Sequence, residues 1–413
     1  MARFPTSTIC FCTVGVFAAT FSKAGETRPS EKDESVVAAK ALKTEIPEEP
    51  SLAESLTAEQ ARSLVARYRG SHLLLNRLST LNADTAAALA AFNRDDLHLG
   101  GVTAVDCDTA RALAGCLCSG LHLPGVPQLD AEAAKAIVGF KGRTLTLSGL
   151  TSLNADTAAA LAGSEAWDGR LPKVSAIDAA TARALAAYKG ILWLDGLTSL
   201  DLDTANALVG FGGKQLKLEG LTALDGEVAA ALARSPAWDG RLPSVARLNA
   251  GTAEALVSWK GRNHSELFLP GLQTLDGETA RVLANAASVK WGACKDRECG
   301  FGEPRHLGSL TEIDAAAAAV LAQSEKWDGF LPSLTAFMRP ESVAVARALA
   351  TRKGQLFLPN LKKISPKTLS ALLKKNDVEI PPIETLELIP EPDGSATDDF
   401  VIPEGFERRQ RRQ

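Results

Sequence analysis

The feature that most constrains this chain is a repeat. From about residue 51 the unit L-x-L-x-G-L-x-x-L recurs, followed by Asp or Asn and then by a T-A-x-x-L-A segment. Residues 145–153 read L-T-L-S-G-L-T-S-L, residues 192–200 read L-W-L-D-G-L-T-S-L, and residues 216–224 read L-K-L-E-G-L-T-A-L. Indexed by its third apolar position, the series is Leu78, Val102, Val126, Leu150, Val174, Leu197, Leu221, Val245, Leu272, Leu310, Leu334 and Leu361. The steps are 24, 24, 24, 24, 23, 24, 24, 27, 38, 24 and 27 residues. A period this regular overrides the two or three domains that 413 residues would otherwise suggest.

One unit is too small to fold alone. L-x-L alternates at period two, as a short strand does. Gly follows and lets the chain turn. Asp or Asn then stands where a helix N-cap is wanted, as at Asn154, Asp201, Asp225 and Asn249. T-A-x-x-L-A places small and large apolar residues on one helical face, in a helix too short to persist by itself. Stacking neighbours hides the leucines of each unit against the next. The expected architecture is an α/β solenoid, a parallel sheet on one side and a row of short helices on the other.

A second period lies on the first. Trp167-Asp168-Gly169-Arg170-Leu171-Pro172 returns 71 residues later as Trp238-Asp239-Gly240-Arg241-Leu242-Pro243, and again as Trp327-Asp328-Gly329-Phe330-Leu331-Pro332. Three repeats therefore form a higher unit. The fixed phase of the three tryptophans assigns them to the turn and the core rather than to a sugar-stacking surface. The 38-residue step holds an insert at about 287–306 that carries Cys294 and Cys299. Insertions into solenoids fall on loops, where specificity is often placed.

These motifs resemble bacterial leucine-rich repeats, in particular GALA-type and cysteine-type repeats of about 24 residues and the exported repeat proteins of planctomycete-like bacteria. Residues 156–162, D-T-A-A-A-L-A, match the helical half of such units. The resemblance covers roughly residues 55–390. It implies a leucine-rich-repeat-like arc with strands on the concave side and a binding role without a defined ligand. One departure is clear: the position that holds Asn or Cys in the family is aliphatic at Leu150, Leu197, Leu221 and Leu272. Leucine packing must hold that turn instead.

The flanks differ from the repeats. Arg3, the apolar run from Ile9 to Phe21 and Ser22-Lys23-Ala24 read as a signal peptide, residues 1–24, cleaved near Ala24. An uncleaved anchor is the alternative reading. Residues 25–50 are an acidic leader without a folding pattern, residues 51–390 the solenoid, and residues 391–413 a polar tail. Losing Arg3 and Lys23 leaves 43 basic against 49 acidic residues. This mild acidity argues against nucleic acid as the main partner. No other stretch is apolar and long enough to span a membrane. Cys294 and Cys299 are the candidate disulfide of an exported protein, with the state of Cys107, Cys116 and Cys118 open. Asn263-His264-Ser265 fits a glycosylation sequon, which has meaning only in a eukaryotic secretory route.

The middle residues of L-x-L should point away from the core and form one row: His98, His122, Thr146, Arg170, Trp193, Lys217, Arg241, Phe268, His306, Phe330 and Phe357. Its mix of rings, Arg and imidazoles is what interfaces favour, although solvent positions under little constraint would also vary freely. His98, His122, Arg170, Trp193, Lys217, Arg241, Phe268, Phe330 and Phe357 are the ligand-binding candidates. Two adjacent imidazoles could hold a metal; the spacing shows no third ligand beside His98 and His122, so neither metal nor cofactor is expected. Asp195 and Glu219 beside Lys217 read as an exposed charged patch of little energetic weight. Common catalytic motifs are missing, so no enzyme is expected. The reading is an exported scaffold for a protein partner, acting through its strand face, its insert or both. A carbohydrate- or envelope-binding module stacking sugars on Trp193, Phe268 and Phe357 is the alternative, and an effector-type protein is a third.

Overall fold

A computed structural model of the chain describes residues 49–261, 266–286, 289 and 307–395. The expected signal peptide, most of the expected acidic leader, Asn263, Cys294, Cys299, His306 and the tail beyond residue 395 lie outside the described residues. All described residues fall in one compact unit, Pro47–Gln413. It is an α/β solenoid: short parallel strands alternate with helices of 7 to 10 residues, and each helix packs on the next along the chain. No helix among the described residues is long and apolar enough to cross a membrane.

The regular repeats fold as their alternation predicts. β1 (His72–Leu74), β2 (Asp96–His98), β3 (Gly120–His122) and β4 (Thr144–Thr146) form one parallel ladder in which Leu73, Leu97, Leu121 and Leu145 stand in register. These four leucines are fully buried, as are Leu147, Leu194 and Leu218. Burying each contributes on the order of 1.5–3 kcal/mol. At the aliphatic position that replaces the family's Asn or Cys, Leu150 and Leu197 are also fully buried. Their amides donate to the carbonyls of Leu147 and Leu194 at 3.2 and 3.1 Å, so a backbone bond closes the turn above the leucine packing.

The helices of the regular units begin where the sequence places a cap, whereas Ser342–Ala350 has no side-chain cap. Asn154, Asp201, Asp225 and Asn249 accept from the amides of Thr157, Thr204, Val228 and Thr252 at 2.7–2.9 Å. Such caps are each worth about 1 kcal/mol. The buried Thr157 also donates from its hydroxyl to the Leu129 carbonyl of the preceding repeat at 3.1 Å, tying neighbours together.

The glycine of the unit has a role beyond the one expected. Gly101, Gly149 and Gly196 are not among the residues with positive φ. A Cβ on Gly196 would instead lie 2.5 Å from the Val174 carbonyl oxygen, and one on Gly101 2.6 Å from that of Asn76. These glycines stand in the expected turns without a positive φ, and what excludes a side chain there is the backbone-to-backbone approach of consecutive repeats.

The expected single sheet is interrupted at the W-D-G blocks. Only isolated bridges, Leu145 to Trp167 and Arg170 to Trp193, join β4 to β5 (Ile191–Trp193), which pairs with β6 (Gln215–Lys217). The cause is local. Asp168, Asp239 and Asp328 accept at 3.1 Å from the amides two residues on, and the glycines between, Gly169, Gly240 and Gly329, have φ of 72, 75 and 83°. That left-handed conformation favours glycine and breaks the strand. Trp167, Trp238 and Trp327 are at most 2% exposed, as their fixed phase predicted. Trp167 packs on Tyr188 at 4.8 Å, Trp238 on Trp259 at 5.3 Å, and Arg352 takes the equivalent place over Trp327 at 4.8 Å.

Towards the C-terminus the strands shorten and a second ladder appears after the third apolar position. β7 (Thr274–Leu275) pairs with β8 (Glu312–Ile313). β9 (Leu356–Phe357) continues the main strand face and pairs with β11 (Val378–Glu379), while β10 (Lys363–Ile364) pairs with β12 (Glu387–Leu388). Cys116 and Cys118 form a disulfide and Cys107 is a free thiol.

Candidate functional site

A buried leucine follows each described middle residue and, outside the W-D-G blocks, another precedes it, which turns the middle residues outward on one strand face. Register puts His98 beside His122, His122 beside Thr146, and Trp193 beside Lys217; bridges put Arg170 beside Trp193, Arg241 beside Phe268, and Phe330 beside Phe357. The structure thus brings the candidate residues into rows that run across the repeats. They form three groups of different chemistry.

The central group is cationic and aromatic. The Arg170 guanidinium lies 4.5 Å from the Trp193 ring centre and the Lys217 ammonium 4.0 Å from it, each coming from a flanking repeat. Arg241 lies 4.4 Å over Phe268. Such contacts are worth about 0.5–2 kcal/mol each. The expected exposed charge patch is instead a part-buried network. Lys217, with a side chain only 15% exposed, sits 3.4 Å from Glu219 Oε1 and 3.8 Å from Asp239 Oδ2. Glu219 also faces Arg241 Nε at 3.5 Å, and Asp195 accepts from the Glu219 amide at 3.3 Å. Asp239 is the member the sequence reading missed. Its side chain is 3% exposed, and among the described residues its Oδ2 receives no hydrogen bond. Burial pushes its pKa up to about 6 against the hydrogen bond from Arg241 and the charge of Lys217. Burial likewise raises Asp168 and Asp195. Its signal lay in the W-D-G block, whose recurrence is read above through its tryptophan alone.

The C-terminal group is apolar: Phe330 and Phe357 rings stand 6.3 Å apart. Beyond it, Thr311, Leu334, Phe337 and Val345 line a depression of about 170 Å³. Its charged residues, Glu312 and Arg339, pair with each other across the rim. No nucleophile and base are set there at reacting distance among the described residues.

The N-terminal group corrects the reading of a histidine pair without a third ligand. The His98 and His122 rings stack at 4.2 Å and within 10° of parallel. Asp96 and His72, at the outward position two residues earlier on their strands, join them. His72 Nδ1 is 2.8 Å from Asp96 Oδ2 and His122 Nε2 is 3.5 Å from Asp96 Oδ1. On its far side His122 Nδ1 lies 3.1 Å from the Thr146 hydroxyl, which donates to Asp168 Oδ2 at 3.0 Å. Burial lowers the pKa of His98, and the charge on His122 adds to that shift. Imidazole and carboxylate donors so placed could hold a metal; spacing along L-x-L concealed them because His72 and Asp96 occupy the other outward row.

Trp193 had been the leading platform for a sugar. Its ring is covered from both neighbouring repeats by Arg170 and Lys217, so a sugar would have to displace one of the chain's own cations.

No family model matches the chain and no curated protein matches it. Among solved structures it is similar to a chain of the Rad7–Elc1 complex of yeast, at 14% identity and a TM-score of 0.34, over 88% of this chain and 98% of that one. It is also similar to an internalin of Listeria monocytogenes, at 12% identity and a TM-score of 0.37, over 84% of this chain and 89% of that one. At these values the assignment rests on the chain's own register of strands, caps and helices, which is that of a leucine-rich-repeat-like α/β solenoid.

Proposed function

We propose that this chain is an exported binding scaffold that engages a protein partner through its strand face. The observation that carries the reading is the row Arg170, Trp193, Lys217, Arg241 and Phe268, in which cations and rings from successive repeats stack on one another. Arg and aromatic side chains already ordered in this way lose little conformational freedom on binding, and they are the groups that dominate protein interfaces. Acidic side chains on the partner would answer Arg170 and Arg241, and the Phe330–Phe357 pair would extend the contact with apolar surface. The insert with Cys294 and Cys299 is a second contact candidate. The scaffold is not an enzyme on this reading, and its repeats are of the GALA-like kind.

Charge reversal tests the surface. Arg170→Glu combined with Arg241→Glu should abolish capture of the partner by cross-linking in the native extract. Lys135→Glu, on an exposed helix where Lys135 pairs with Glu132, should leave capture unchanged. Equal loss with both variants would remove the strand face from the proposal. A glycan-array hit that disappears with Trp193→Ala would replace the protein partner with a carbohydrate. Export is tested separately by the N-terminal sequence of the mature chain, which should begin after Ala24.

A further inference from the structure

The N-terminal end of the strand face carries a feature that a protein-binding surface does not require. Three of the chain's five histidines, His72, His98 and His122, fall on three consecutive strands, with Asp96 among them. One donor atom each from His72, Asp96 and His98 can be chosen so that all lie within 4.8 Å of one another. Ligand atoms around a tetrahedral zinc ion stand roughly 3.3 Å apart. Binding would draw these donors together by rotation of the side chains, the stacked His98 and His122 rings included, and all of them stand on one short ladder.

Two further observations point to a ligand. The first is Gly120, the register partner of Asp96 on β3. A Cβ there would collide with the Asp96 carboxylate and stand 2.8 Å from His122 Nε2. The absence of a side chain there is what lets the Asp96 carboxylate and the His122 imidazole converge over one point of the face. The second is the tautomer of His122. The Thr146 hydroxyl has one proton and donates it to Asp168, so it must accept from His122 Nδ1–H. In the neutral ring Nε2 then carries a lone pair, and this lone pair faces Asp96 Oδ1 at 3.5 Å. Two acceptors so placed are bridged by a positive centre, either a proton on Nε2 or a metal ion that takes its place. A histidine whose rear nitrogen is fixed through a hydroxyl to a part-buried carboxylate is oriented as metal-ligating histidines are.

We propose that His72, Asp96, His98 and His122 form a binding site for a divalent transition-metal ion of the zinc class, with Thr146 and Asp168 holding His122 in its ligating tautomer. The mixed imidazole and carboxylate set suits zinc, nickel or copper and disfavours calcium or magnesium, which take oxygen. His72 is 56% exposed, so the site opens to solvent on the strand face and leaves room for a further ligand from outside.

The test is titration of zinc into the full chain with its thiols alkylated, followed by calorimetry and by competition with a chromophoric chelator. One ion per chain is expected. His72→Ala and Asp96→Asn should each weaken binding at least 10-fold, and Thr146→Val, which touches no ligand atom, roughly 10–100-fold. His264→Ala should bind as the parent chain does. Because His72 is largely exposed, its variant should keep the parent melting temperature in the absence of metal, which separates lost ligation from lost folding. Zinc should also shift the ring resonances of the three histidines of the ladder. Equal affinity of the parent chain and His72→Ala, loss of binding with His264→Ala, or no binding at 0.1 mM zinc, a level chosen as on the order of the weakest specific sites, would each overturn the site. None of these outcomes depends on the protein partner proposed above.

Discussion

The regular repeats of β2 to β4 and the three W-D-G repeats solve the same packing problem differently. In the first, a leucine on a three-residue strand fills the core and the ladder satisfies the backbone. In the second, a tryptophan fills the core, a left-handed glycine breaks the strand, and a carboxylate caps the turn. The tryptophan's aromatic partner, Tyr188 or Trp259, lies in the next repeat and replaces part of the lost register. The comparison teaches that interrupting a solenoid sheet has an electrostatic consequence. The turn-capping aspartates Asp168 and Asp239 are drawn under the strand face, where burial raises their pKa and where they meet Thr146 and Lys217. Both candidate groups thus depend on a W-D-G carboxylate, the histidine group on Asp168 and the cationic group on Asp239.

The comparison can be broken first at the core. Trp238→Ala should cost about 3–5 kcal/mol, the largest effect, since the ring is 1% exposed and packs on Trp259. Leu194→Ala in a regular repeat should follow at about 2–5 kcal/mol in chemical denaturation. If Trp238→Ala costs less than Leu194→Ala, the tryptophan is not the wedge of its repeat. Gly240→Ala should come next. Its φ of 75° is worth about 1–2 kcal/mol against any side chain, and a Cβ would also strike the Trp259 ring. A neutral Gly240→Ala would show that the strand break is not held by that glycine.

Asp239 sharpens the electrostatic side. A carboxyl whose folded pKa is raised binds its proton more tightly in the folded chain. Its contribution therefore becomes more favourable as pH falls from about 6 towards 3.8, and it opposes folding above that window. Asp239→Asn should keep the cap on the Arg241 amide, stabilise the chain at pH 7 and flatten its pH dependence between those values; a melting temperature lowered at pH 7 would mean that the pairing with Lys217 outweighs burial. Lys217→Ala should have the smallest effect, roughly 1 kcal/mol from the lost contact with Trp193. This is more than an exposed lysine would give, and a double variant with Trp193→Ala should show the coupling.

Several features were legible before any coordinates. Asn154, Asp201, Asp225 and Asn249 cap helices because capping needs only the residue and its next three neighbours. The leucines face inward because strand alternation is local, and the tryptophans are buried because a fixed phase implies a fixed environment. The histidine group was only half legible. His98 and His122 share the middle outward row, whereas His72, Asp96 and Gly120 occupy the row two residues earlier, which the L-x-L motif does not include. Aligning that row at the 24-residue step would have brought His72, Asp96 and Gly120 together.

The sequence by itself determined the solenoid, because a repeated unit that cannot bury its own apolar face must stack on its copies. Tertiary structure alone decided that Asp239 lies under Lys217, that two cations cover Trp193, and that the missing side chain of Gly120 lets Asp96 and His122 converge. These depend on distances between neighbouring repeats and on the depth to which each turn sinks below the strand face. Residues two dozen positions apart meet there, and the pattern within a single repeat holds no information about the encounter.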